Sequence, residues 1–142
     1  MLKLRKNKKG FTLVELIVVI AIMAVLAGTI AGVTVSQLNK QTDNANITQA
    51  KKVADQIASL IIGNDIILNT AGDGFVIAGT SDALSADNLN SQFINKEFPG
   101  LIKGTGKGEI SLSVSGTEIQ VIYTPKGSKG VTYKINSEGI VS

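Results

Sequence analysis

The sequence predicts an α+β fold: one long N-terminal helix, apolar in its first half and one-faced in its second, packed on a small antiparallel β-sheet. Three observations carry this expectation. Residues 11–35 hold a single ionisable group, Glu15. After them the apolar positions recur at spacings of three and four, and residues 109–142 contain four runs with β character. A chain of 142 residues has room for one domain beyond such a segment.

The leader comes first, at 1–10. Lys3, Arg5, Lys6, Lys8 and Lys9 all precede Gly10. The rest of the chain carries nine lysines against eleven carboxylates, a balance of −2, although the whole chain is +3. Its basic character is therefore a property of the leader, and no nucleic-acid footprint is expected on the remainder. There is no Cys, His or Trp. Disulfides and thiolate metal sites are excluded, and nucleophilic chemistry is reduced to Ser–Lys or carboxylate pairs.

The second element is the apolar run at 11–35. About 20 apolar residues cross a bilayer as a helix. The five cations ahead of it should stay cytoplasmic, which places the C-terminal bulk outside. The alternative, a secretory signal cut near Ala27-Gly28, calls for a shorter apolar core. A carboxylate at mid-bilayer costs about 2.5–3.5 kcal/mol on insertion scales, and less near an interface. Glu15 either sits at headgroup level beside the basic leader or awaits a cationic partner. Position alone leaves both readings open.

Lys8-Lys9-Gly10-Phe11-Thr12-Leu13-Val14-Glu15-Leu16 resembles the processing motif of type IV prepilins and of type II secretion pseudopilins. The resemblance implies cleavage by a membrane peptidase between Gly10 and Phe11, N-methylation of Phe11, and a role for Phe11 and Glu15 in subunit assembly. It implies further copies of the chain as partners in a helical homopolymer. A prepilin peptidase/N-methyltransferase, the assembly machinery and, before assembly, the membrane complete the expected partners. It implies a type IV pilin-like fold, with no cofactor, metal or catalytic residue. The motif makes physical sense. Glycine lets the backbone enter a tight protease site. Cleavage leaves a charged amine at membrane depth, and Glu15 of a neighbour would neutralise it, fixing axial register between otherwise interchangeable helices. The chain departs from the family where many members carry proline, for Gly32 stands there. Gly28 and Gly32 each weaken the helix by about 1 kcal/mol relative to alanine. Local weakness is the favoured reading of this pair, and a small-xxx-small dimer face is the other.

The third element is a head at 36–142, opening with the helix at 36–62. Leu38, Ala45, Ala50, Val53, Ala54, Ile57, Ala58 and Ile61 are expected to form its apolar face. Asp43, Asn46, Lys51, Lys52, Asp55 and Gln56 fall between them, and Gly63-Asn64 should stop the helix. A connecting region follows at 63–108. A short strand is expected within Gly74–Gly79, and Ser85 should cap a short helix carrying Leu89, Phe93 and Phe98, ended by Pro99-Gly100. Asp65, Asp73, Asp82 and Asp87 match no calcium-loop spacing and read as solvated loop acids. Gly104–Gly108 lacks the strand-to-helix setting of a phosphate loop and reads as a connection.

Last comes the sheet at 109–142: Glu109–Ser115, Glu118–Thr124, Val131–Asn136 and Gly139–Ser142, with short turns and one longer loop at Pro125–Gly130. Laid on the amphipathic helix, it makes a two-layer fold. Function is expected to come from polymerisation: a type IV pilus subunit for adhesion, motility or biofilm formation. A pseudopilin of a secretion or DNA-uptake machine is the alternative, and a non-polymerising single-span protein is a remote third.

Overall fold

The computed structural model describes residues 10–126 and 129–142. The basic leader residues ahead of Gly10 lie outside the described residues, as do Gly127 and Ser128 of the expected loop. The chain divides into two compact units, 1–38 and 39–142. Helix α1 (Leu13–Ile62) is continuous through Gly28 and Gly32. Within the first unit every described residue is exposed. An 18-residue window of this helix reaches a mean hydropathy of 2.8 with none of it buried. Such a surface in water is unfavourable, whereas a bilayer or a bundle of like helices covers it.

The second unit holds the core. From α1 it receives Ala50, Val53, Ala54, Ile57, Ala58, Leu60 and Ile61. The face continues towards the N-terminus through half-buried Asn46 and Ile47 to buried Asp43, while Leu38 and Ala45 are exposed. This corrects the expected face. A right-handed helix with 3.6 residues per turn carries the stripe from Ala50 back to positions 46–47 and 43, which leaves Ala45 on the outside.

Three antiparallel strands cover that face in the order β3 (Glu109–Ser115), β4 (Glu118–Thr124), β5 (Val131–Asn136). All three have the expected bounds. β4 alternates strictly, with Ile119, Val121 and Tyr123 buried. Register aligns Val114, Ile119 and Ile135 on one row and Leu112, Val121 and Tyr133 on the next. Each fully buried Ile or Val contributes roughly 1.5–3 kcal/mol. Ser111 is also buried, so β3 alternates less cleanly than its Ser-apolar pattern suggests.

The fourth expected run is not a strand. Residues 139–142 form one bridge, Ile135↔Val141, with reciprocal backbone bonds between Lys134 and Ser142. Gly139 explains the break. Its φ is +76°, and a Cβ there would lie 2.8 Å from Ile62 Cγ1. The turn bends there to meet the end of α1.

That end is a Schellman cap. Asn64 takes φ +60°, with Asp65 N–H bonded to Leu60 O at 2.9 Å and Asn64 N–H to Ile61 O at 3.1 Å. In the connecting region, β1 (Ile66–Leu68) pairs with β2 (Phe75–Ile77). β2 was expected, whereas β1 is too short to announce itself. Ser85 caps α2 (Ala86–Leu89) through a reciprocal capping box with Asn88. A π-helical turn, Asn90–Ile94, then leads into α3 (Asn95–Glu97). Leu89 and Ile94 are buried, with Phe93 and Phe98 half-buried against the core.

Candidate assembly and processing site

Gly10, Phe11 and Thr12 precede α1, which makes Thr12 its N-cap and Glu15 its third residue. Thr12 and Glu15 cap one another. The Thr12 N–H donates to Glu15 Oε2 at 2.8 Å, the Thr12 hydroxyl donates to the same oxygen at 2.9 Å, and the Glu15 N–H donates to Thr12 Oγ1 at 3.3 Å. This is the Thr-x-x-Glu capping box, in which cap and third residue satisfy two otherwise orphaned amides. A carboxylate at a helix N-terminus also meets the positive end of the dipole. The signal was present in Thr12-Leu13-Val14-Glu15 and sequence reasoning did not use it. In this chain Glu15 thus has a local partner, which neither reading of its position had supplied.

Phe11 is 91% exposed, and Gly10 is exposed beside it. Gly10, Phe11, Thr12 and Glu15 border one shallow depression. The structure therefore brings together the three residues expected to act in processing and assembly. Gly28 and Gly32 lie 13 and 17 residues after Glu15, with open space where a Cβ would be. Thr29 and Thr34 return their hydroxyls to the carbonyls of Leu26 (3.0 Å) and Ile30 (2.8 Å). Their donors are thereby satisfied inside the helix, as an apolar environment requires.

The second unit has its own polar centre, which sequence reasoning missed. Asp43 is 2% exposed. Its Oδ1 accepts from the Tyr123 hydroxyl at 2.7 Å and from the Lys126 amide at 3.2 Å. Asn46 Nδ2 donates to the Tyr123 oxygen at 3.2 Å. Burial, and then the bond to Asp43, push the Tyr123 phenol above its ordinary range. Beside this network lies an open cavity of about 480 Å³, bordered by Asn46, Lys52, Phe98, Leu101, Lys103 and Glu109. Among the described residues no three acidic side chains come together to hold a metal ion. Asp43 with its partners joins α1 to the end of β4 and does structural work.

Residues 5–31 match the family model of the prokaryotic N-terminal methylation motif. Two fimbrial proteins of Pseudomonas aeruginosa are each 27% identical to this chain over 132 residues, which is 91% of this chain and 75% of the relative. No solved structure matches it. The chain thus carries the N-terminal motif of the type IV pilin family on an α+β pilin-like architecture. Motif and likeness point to a structural protein. They fit a membrane-anchored precursor that becomes part of a surface filament.

Proposed function

We propose that this chain is the structural subunit of a type IV pilus, cut between Gly10 and Phe11, N-methylated on Phe11, and polymerised through residues 11–35. The observation that carries the reading is the likeness to fimbrial proteins over 132 residues. It extends past the shared motif into the second unit, and so favours a pilus subunit over a pseudopilin.

Assembly then follows from the chemistry of the N-terminus. In the bilayer the Glu15 carboxylate is held by Thr12, and the apolar surface of α1 is covered by lipid. In the filament that surface is covered by neighbouring helices. The new amine on Phe11 would be buried there, and a buried cation requires a carboxylate. Glu15 of an adjacent copy supplies it. Its exposed position on the first turn leaves the carboxylate reachable while the capping box fixes its direction.

The test is intact-mass measurement on sheared surface filaments, paired with electron microscopy. The expected subunit starts at N-methylated Phe11. Filaments whose subunit retains Met1 or Lys3 would overturn the processing step. Glu15→Val removes the carboxylate half of the capping box but should leave insertion and cleavage largely intact, because the segment becomes more apolar. It should reduce filament counts by tenfold or more, if pairing is worth about 1.4 kcal/mol or above per subunit. Unchanged counts would show that apolar packing alone sets the register.

A further inference from the structure

Twelve of the nineteen charged side chains of residues 39–142 gather at two ends of the unit, with opposite net sign. Asp43 marks one end, where it binds Tyr123 and Lys126 at the close of β4. Lys40 lies one helical turn before Asp43 on α1. Gly108 bonds to Thr124 and lies under the Lys126 side chain, which brings Lys107 to the same place. Lys103 bonds to Ile110 at the start of β3, and Lys129 follows Lys126. Among the described residues, these five exposed lysines stand with buried Asp43 and half-buried Glu109, a balance of +3 for the group.

The other end is marked by the close of α1 at Ile62. Asp65 belongs to the helix cap, and Glu138 precedes Gly139, which packs on Ile62. Glu118 is paired with Asn136 across the sheet. Asp73 lies at the β3–β4 turn, with its carbonyl 3.5 Å from where a Gly116 Cβ would stand. These four acids meet one lysine, Lys134, which is ion-paired to Glu118 at 3.3 Å. The local balance is −3.

Asp43 and Ile62 are 19 residues apart on one helix, about 29 Å at 1.5 Å per residue. That is over three times the Debye length of about 8 Å at physiological salt. The two ends therefore do not neutralise one another within one copy. We propose that the basic end of residues 39–142 docks on the acidic end of the same unit in a second copy, head to tail. Such a contact is heterologous, and repetition of a heterologous contact builds an open filament. Opposite charge steers the encounter and rejects the head-to-head and tail-to-tail arrangements, which would place like charges together. The inference rests on the reading of the chain as a filament subunit. It adds a contact between heads to the packing of residues 11–35.

The test uses the full chain, expressed in a strain lacking any wild-type copy, with filaments counted by electron microscopy and mature subunit measured in the membrane. One variant carries Lys103→Glu and Lys107→Glu, a second carries Asp65→Lys and Glu138→Lys, and a third carries all four. Each double variant should lose about tenfold in filament number at unchanged membrane subunit, the change that ~1.4 kcal/mol produces. The quadruple variant should recover most of that loss, because the two ends are again opposite in sign. Wild-type counts in both double variants would overturn the inference and leave the filament reading standing. So would a basic-end defect that the quadruple variant does not restore. If that defect coincided with lost sedimentation on phosphatidylglycerol vesicles, the basic end would belong to the lipid surface instead. A wild-type chain that forms no filaments would overturn the filament reading itself, and this contact with it.

Discussion

A carboxylate 2% exposed is stable only when donors replace its lost water, and Asp43 receives the Tyr123 hydroxyl and the Lys126 amide. Asp43→Ala removes the acceptor of the buried Tyr123 hydroxyl and of the part-buried Lys126 amide. A loss of about 1–3 kcal/mol is expected, read as a melting point lowered by roughly 4–8 °C per kcal/mol for a unit of this size. An unchanged melting point would show that water serves both donors equally well. The same contact makes a pH prediction. Burial and the Asp43 bond raise the Tyr123 value, so folding favours the neutral phenol. Its contribution is complete below the unfolded value of about 10 and is lost as pH rises through the folded one. Melting of the wild type should fall more steeply above pH 10 than that of Tyr123→Phe. Parallel curves would show that Tyr123 carries no part of the alkaline loss.

At the scale of elements, the long periodic segments were legible and the contacts between distant segments were not. The end of α1, β3, β4, β5 and the Ser85 cap all follow from local patterns: a period of two, a left-handed stop residue, a serine ahead of a short helix. Asp43 read as a polar position because its partner Tyr123 lies 80 residues away, and nothing within one helical turn announces it. Gly139–Ser142 read as a strand because the encounter of Gly139 with Ile62 is tertiary. β1 is three residues long, below the length at which alternation has meaning. The Thr12–Glu15 box is legible as a Thr-x-x-Glu helix start, in letters that the cleavage motif also occupies. Ile57 tests the central contact of these elements. It is fully buried on α1, and Ile57→Asp places an unpaired charge between helix and sheet. Destabilisation of about 3–5 kcal/mol is expected by analogy with a broken buried ion pair, measured by urea unfolding. A midpoint equal to the wild type would mean that the sheet does not cover this face.

At the scale of the whole molecule, the proposed removal of the leader would change the sign of the protein. The intact chain is +3 with a pI near 9.2, and residues after Gly10 balance to −2. Processing between Gly10 and Phe11 should therefore move the protein from the basic to the acidic side of an isoelectric focusing gel. A surface form that still focuses above pH 9 would show that the leader is retained. The shift also separates two electrostatic tasks. In the proposed precursor, cations ahead of the apolar run would hold its orientation across the bilayer, and after the proposed cleavage the charges of residues 39–142 would dominate the field of the subunit.

The borders of the three-stranded sheet carry a last consequence. Ile102 bridges to Ile110 along the outer side of β3, and the segment at Val141 does the same for β5, bonding Lys134 on both sides. The proposed polymerisation would crowd many identical sheets together, and an open strand edge under such crowding invites another chain to add to it. In this fold a short piece of the chain itself occupies part of each border. In the proposed filament these covered borders would guard against the wrong kind of self-association, directing growth to the helices instead of to amyloid-like stacking of strands.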